Sequence, residues 1–206
     1  MNKPIGAIDC DDTAGEFTVR FLNNVNSEDG TDYSVEHIID HDLSKGLGGS
    51  MSRDWYPRIL EFAEVERESD PIVPKEGAVY AIGRLAVRYE LVIITARPPE
   101  HRDIVEAFVE TYLSDYVSDI ITRDGEHSLF DKGEIIDHIN AEFLLDDHFA
   151  HVDSAIKRGR KGILFGTLPK TLVHKDTYPH AANWYEAYEI ITGEHINPAL
   201  RRSESV

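Results

Sequence analysis

Near its amino end the chain reads Ile5-Gly-Ala-Ile-Asp-Cys-Asp-Asp-Thr13, a short apolar run that closes at once on three carboxylates. Such a run predicts a buried strand, and charges crowded at its carboxyl end are costly there unless they have work to do. In an open parallel sheet that end is where ligands sit. Asp9 and Asp11 are two apart, so extended backbone points both to one side. Two like charges so close repel unless a cation or a shared proton intervenes. A hard divalent ion such as Mg²⁺, which takes oxygen ligands and substrate phosphate, meets that need. The alternative is a strand ending in an acidic, solvated turn.

The arrangement recurs. Leu91-Val-Ile-Ile94 is an apolar strand that ends in Thr95-Ala-Arg-Pro-Pro99. A hydroxyl and free backbone N–H groups there suit a phosphate oxygen, or else cap a helix. Arg97 is placed for a bidentate phosphate contact or a salt bridge. Glu142-Phe-Leu-Leu-Asp-Asp147 is another apolar strand closing on paired carboxylates. Between them Lys132 stands at a predicted helix start, where it opposes the helix dipole; it is either solvated or there for another reason.

Asp9-x-Asp-x-Thr13 after an N-terminal strand resembles the first motif of the haloacid dehalogenase superfamily of phosphohydrolases. Thr95-Ala-Arg97, Lys132-Gly-Glu-Ile135 and Asp146-Asp147 resemble the second, third and fourth motifs, in that order. The resemblance implies that Asp9 is the nucleophile, forming an aspartyl-phosphate, and that Asp11 is the general acid/base. It implies Thr95, Ala96, Arg97 and Lys132 around the phosphate. It also implies Mg²⁺ on Asp9, Asp147, Asp146 and Asp11, the last through its backbone carbonyl. Many members carry Gly where this chain has Asp12; Asp tolerates left-handed backbone better than most residues. Gly15-Glu-Phe17, and Asn183-Trp184 after a strand and a Pro-containing turn (Gly166–Pro169), are similar to the 5′(3′)-deoxyribonucleotidase branch. That implies a nucleoside monophosphate substrate.

The fold expected is α/β, a three-layer Rossmann-like parallel sheet with an inserted helical cap. Its 206 residues suit one such domain. Residues 1–13 and 76–206 form the expected core, and 14–75, which lack strand patterning, form the cap. Within 14–75 a helix is predicted over Glu16–Val25 and a polar turn over Asn26–Asp32. Ser34 is a candidate helix cap, Lys45–Ser50 a Gly-rich hinge, and Met51–Val65 a helix interrupted by Pro57. Val79, Ile82, Ala86 and Tyr89 keep helical spacing, as do Ile104, Phe108 and Tyr112. Val117–Ile121 is a short strand, Thr122–Lys132 a loop, Lys161–Phe165 the last core strand, and Pro198 onward a polar tail. His37 and His41, four apart, lack a third metal ligand and read as a solvated helix face. His148 and His151 mark a helix start, with site contacts left open.

Charge narrows the function. Lys and Arg number 21 against 38 Asp and Glu, a formal charge of −17. Such a chain repels nucleic-acid polymers and anionic membranes at long range, and phosphate too, so the small phosphorylated substrate that the resemblance implies needs a local positive spot; the charge by itself also fits solubility alone. No apolar stretch approaches the roughly 20 residues of a membrane span, and no leader is apparent. The single cysteine, Cys10, excludes an internal disulfide and points to a cytoplasmic protein; between two Asp residues its thiolate is disfavoured, and it reads as filler. The reading is a Mg²⁺-dependent phosphatase of nucleoside monophosphates. Its alternatives are a polynucleotide 3′-phosphatase, a sugar phosphatase and a phosphate- or nucleotide-binding module without turnover.

Overall fold

The structure, a computed structural model, describes residues 3–123 and 131–195. The expected loop over Thr122–Lys132 therefore lies partly outside the described residues, and the tail from Pro198 wholly so. Strands β1 (Ile5–Ile8), β2 (Glu90–Ile94), β3 (Val117–Ile121), β4 (Ala141–Asp146), β5 (Lys161–Phe165) and β6 (His180–Ala181) form one sheet in the order β3-β2-β1-β4-β5-β6. Every pairing is parallel. The chain builds outward from β1 to β3, then returns to β1's other side with β4. That reversal makes β1/β4 the switch point, where an open α/β sheet leaves a crevice beyond its strand ends. Ile8 pairs with Leu145, so Asp9 and Asp146 leave the sheet side by side, and Asp9 N–H donates to the Leu145 carbonyl at 2.9 Å.

Between β1 and β2 the chain forms α1 (Thr18–Asp29), α2 (Ser44–Leu47) and α3 (Tyr56–Glu68), with a 3₁₀ turn at Val35–His37 and a π turn at Met51–Trp55. These pack around a core of their own, with Phe21, Leu22, Val25, Ile38, Trp55 and Phe62 buried together. α1 runs beyond the predicted end at Val25 and into the predicted polar turn as far as Asp29, and ends at Gly30 in left-handed backbone, φ 67°. Asn26 to Asp29 look turn-like because they end a solvated helix; Asn26 also ties down the next loop, accepting from Tyr33 N–H and donating to the Tyr33 carbonyl, both at 2.8 Å. Pro57 falls in the first turn of α3, where its missing N–H costs nothing, and the distortion precedes it as the π turn. Part of the Gly-rich segment is helical: Ser44–Leu47 forms a turn that Gly48 terminates at φ 79°.

The rest of the chain supplies the outer layers: α4 (Ala78–Ala86), α5 (Arg102–Tyr112), α6 (Lys132–His138), α7 (Phe149–Lys157), α8 (Pro169–Leu172) and α9 (Trp184–Thr192). Strand alternation sorts them by face. Ile8, Ile93 and Leu145 bury against α4, α5 and α9 through Ile82, Leu85, Phe108 and Trp184. Ala7, Val92, Ile94 and Leu144 bury against α6 and α7 through Ile136 and Ala155. The three-layer α/β fold expected from the sequence is thus observed. The expectation that β5 ends the sheet is not met: β6 adds two residues, too few to give any periodic signal. Tyr89 lies beyond α4 and sets its ring edge-on to Phe143, 5.1 Å between centroids.

Candidate active site

Asp9 follows β1 and is almost fully buried. Its Oδ2 faces the Thr13 hydroxyl at 3.4 Å, and its Oδ1 accepts from the Lys132 ammonium. Burial raises the Asp9 pKa well above the ordinary carboxylate value; Lys132 opposes the rise, while Asp146, Asp147 and Asp11 add to it. Asp12 adopts the left-handed conformation at φ 57°. An Asp can hold that turn because its carboxylate bonds locally, here accepting from the Thr18 N–H at 2.9 Å and from the Thr18 hydroxyl. Burial pushes the Asp12 pKa up, but Lys170, Lys75 and the Thr18 bonds bring it down to about 2. Cys10 is buried, and burial followed by Asp11 pushes its thiol up, so it stays protonated.

Lys132 opens α6 after Asp131, whose carboxylate caps the helix by accepting from the Gly133 and Glu134 N–H groups. The lysine is 2% exposed and donates to Asp146 at 2.8 Å as well as to Asp9. Burial alone lowers its pKa, yet Asp146 and Asp9 together hold it above the ordinary value, so it is a permanent cation. This is the other reason for a lysine at that helix start. Asp146 and Asp147 follow the apolar β4, and Asp146 also accepts from the His148 N–H at 2.8 Å.

A second buried lysine completes the floor. Lys170, in α8, lies 3.0 Å from Asp12 and 2.7 Å from Asp147. Burial raises the Asp147 pKa, and with Lys170 opposing and Asp12 and Asp146 adding, it stands at about 6. Asp147 Oδ2 makes no aligned hydrogen bond, although the Lys170 ammonium is so near. Oxygens of Asp9, Asp146 and Asp147 all lie within 4.8 Å of one another. A compact set of hard carboxylate oxygens drawn from two neighbouring strand ends fits Mg²⁺.

The Asp11 side chain stands apart from these three. Arg97 grips it, Nε to Oδ2 at 2.9 Å and Nη2 to Oδ1 at 2.6 Å, and grips Glu66 of α3 with Nη1 and Nη2. Arg97 is therefore committed to two carboxylates, in the salt-bridge role that the sequence left open beside phosphate binding. Ala96 lines the cavity. Thr95 is fully buried and is not on its wall; its hydroxyl accepts from the Arg97 N–H at 3.2 Å.

Above this floor opens a cavity of about 380 Å³. Phe17, Leu43, Tyr56, Ile59, Leu60 and Ala63 give it an apolar wall drawn from the helical segment, facing His41, His148 and His151. The rings of His41 and His148 stack at 3.7 Å, and those of His148 and His151 are 5.0 Å apart. His148 also caps α7, accepting from the Ala150 N–H. Burial, the largest cause, lowers the pKa of all three imidazoles, with Asp146 opposing the shift at His148 and His151; His148 is pushed down to about 4. Of the cavity's cations, Arg97 holds Asp11 and Glu66, Lys132 holds Asp9 and Asp146, and Lys170 holds Asp12 and Asp147. Carboxylates thus outnumber cations two to one, and each cation is shared between a pair.

The sequence reading brought Asp9, Asp11, Ala96, Arg97, Lys132, Asp146 and Asp147 to one cavity but missed Lys170, Glu66 and His41. Lys170 had a signal: it follows an apolar strand and its turn, as the other site residues do, one position past the Gly166–Pro169 segment that was read. Glu66 had none, since Glu64-Val-Glu-Arg-Glu68 looks like any solvated helix face. His41 was taken for surface. It is in fact held against His148.

No family model matches the sequence, and no curated protein matches it by sequence. Solved structures do match. One is a haloacid dehalogenase-like protein of unknown function from Agrobacterium tumefaciens, 13% identical, at a TM-score of 0.66 over 93% of this chain and 99% of that one. Another, from Lactobacillus delbrueckii subsp. bulgaricus, carries an inferred phosphoglycolate phosphatase name; it is 15% identical, at a TM-score of 0.65 over 94% and 100%. A third, a hydrolase of the same class from Bacillus subtilis solved with magnesium bound, is 12% identical, at a TM-score of 0.59 over 93% and 100%. The chain has the haloacid dehalogenase-like fold. At these identities the likeness speaks for the fold, and the chemistry rests on the site.

Proposed function

We propose that this chain is a Mg²⁺-dependent phosphate monoester hydrolase that works through a phosphorylated Asp9, with nucleoside monophosphates as preferred substrates. The observation that carries the reading is Asp9 itself: a buried carboxylate at the sheet's switch point, bonded to a buried ammonium and clustered with Asp146 and Asp147. Carboxylate and phosphate are both anionic, so attack of one on the other needs positive charge fixed in place beforehand. When bound by Asp9, Asp146, Asp147 and the Asp11 carbonyl, Mg²⁺ supplies a positive centre that polarises the phosphoryl oxygens.

The chain's own residues do the rest. Lys132 and the backbone of the Ala96-Arg97 turn border the phosphate and orient it. An Asp9 oxygen bonds to phosphorus while the bond from phosphorus to the leaving oxygen breaks. Asp11, in its carboxylic-acid form at this stage, gives that oxygen its proton, which the water restores in the second half. In the second half a water oxygen attacks the phosphorus of the acyl phosphate. Asp11 takes the water's proton, and Asp9 and inorganic phosphate are released.

Residues 14–75 act in this reading as the cap that selects the leaving group. Its wall is apolar, and Phe17 and Tyr56 border the cavity while Phe21, Trp55 and Phe62 fill the segment's own core. A base stacks on such a wall. Each cation lining the cavity is already shared between two carboxylates, which leaves none for a second anionic group on the substrate. That favours an uncharged leaving group over the several phosphates of a polynucleotide end. The test is phosphate release from a panel of nucleotide, sugar and carboxylated phosphate monoesters with Mg²⁺. Preference for nucleotides is expected; preference for sugars selects the sugar phosphatase instead, and binding without release selects the module without turnover.

A further inference from the structure

We infer that Glu66 is a positioning residue for the proton-transfer step, acting on Asp11 through Arg97. The inference rests on the hydrolase reading above, in which Asp11 moves the proton. Glu66 lies on α3, in the helical segment, and its side chain is wholly buried. Its Oε1 accepts from Arg20 at 2.9 Å and from Arg97 Nη2 at 3.0 Å, and its Oε2 accepts from Arg97 Nη1. Arg97 then presents its other edge to Asp11.

A guanidinium is a rigid planar fork, so docking one edge fixes the direction of the other. With Glu66 on one edge, Arg97 cannot swing without breaking a buried ion pair. The Phe17 ring, 5.7 Å from the guanidinium carbon, borders its face as well. Arg20 anchors Glu66 in turn, donating to the Glu16 carbonyl at 3.1 Å and pairing with Asp70. The chain of contacts runs from two helices of the helical segment to one carboxylate that remains 28% exposed at the cavity. If holding helices on the sheet were its only task, apolar residues of similar volume would serve as well, since buried ion pairs are seldom a net gain in stability. What apolar residues cannot do is aim a carboxylate. Arg97 thus transmits the seating of α3 to Asp11.

The test compares an alkyl phosphate, whose leaving oxygen needs a proton, with an aryl phosphate, whose leaving oxygen needs it far less. Glu66→Gln keeps the shape and removes the charge that holds Arg97. It should lower kcat on the alkyl ester roughly tenfold or more beyond its effect on the aryl ester, with KM little changed. Arg97→Lys keeps a cation beside Asp11 but loses the fork, and should give the same split; it decides the matter if Glu66→Gln does not fold. Equal losses on the two esters, or none, overturn the inference while leaving the hydrolase reading intact. A wild-type chain that hydrolyses neither ester overturns both.

Discussion

Lys132 donates to Asp9, 123 residues earlier in the chain, and does so inside packing that leaves the lysine 2% exposed. The same ammonium holds Asp146, so one cation joins the ends of β1 and β4. Removing it strands two buried carboxylates. Lys132→Met should therefore destabilise the fold by about 3–5 kcal/mol, the usual cost of breaking a buried pair from one side. Urea unfolding at neutral pH checks it. A loss within about 0.5 kcal/mol of zero, typical of surface sites, would mean that the carboxylates are satisfied without Lys132.

In the proposed mechanism Asp9 and Asp11 divide the labour. Asp9→Asn should abolish turnover on every ester. Asp11→Asn keeps the nucleophile and removes the proton donor, so its loss should be larger for alkyl than for aryl phosphates, within the ~10²–10⁴-fold range of general acid catalysis. Turnover of both variants on both esters decides it, and equal losses for Asp11→Asn would give Asp11 another role.

The three-carboxylate cluster predicts dependence on a divalent ion. Thorough chelation should stop phosphate release and Mg²⁺ should restore it, while titration calorimetry on Asp147→Asn should show weakened Mg²⁺ binding. Turnover that survives chelation would contradict the assignment.

His41 gives a pH prediction. Burial, the largest cause, lowers its pKa below the free value of 6.5, with Lys170 and the neighbouring histidines helping. A lowered base favours the neutral folded state, so its contribution is fully present above pH 6.5 and is lost as pH falls below it. His41→Phe keeps a ring against His148 and removes the proton. It should flatten the stability–pH curve below 6.5 by about 1.4 kcal/mol per pH unit, the value of one proton. Identical curves for the two proteins would mean that His41 is not held neutral.

Much of this was legible because parallel strands announce themselves. Four-residue apolar runs such as Leu91–Ile94 have few alternatives, and the polar residues closing them mark the ligand edge. It was the resemblance to the haloacid dehalogenase motifs that set Asp146 and Asp147 beside Asp9 with no structure in hand. The partners of those residues were hidden. Glu66 belongs to a helix whose visible face is charged, and only the packing of α3 against the Arg97 turn shows which of its glutamates points inward. The fate of Arg97 was hidden for the same reason: a phosphate-binding fork and a buried ion pair use the same atoms. β6 was missed because two residues carry no period.

In the proposed reading charge also sets substrate size. The longest basic run, Arg158-Gly-Arg-Lys161, lies at the amino end of β5, away from the cavity, with Arg158 paired to Asp131 and Arg160 to Asp137. Free mononucleotides should be hydrolysed in preference to 3′- or 5′-phosphorylated oligonucleotides. Side-by-side kcat/KM values at physiological salt check this, and an oligonucleotide preference would favour a polynucleotide phosphatase.

In the proposed mechanism Asp9 carries the phosphoryl group. Acid quenching during turnover, followed by mass spectrometry of the peptide containing Asp9, tests it most directly. One added phosphoryl group is expected on Asp9 in the wild-type chain, and more of it on Asp9 in Asp11→Asn turning over an aryl ester, where water activation is slowed. Steady phosphate release with Asp9 unmodified, and persisting in Asp9→Asn, would contradict it.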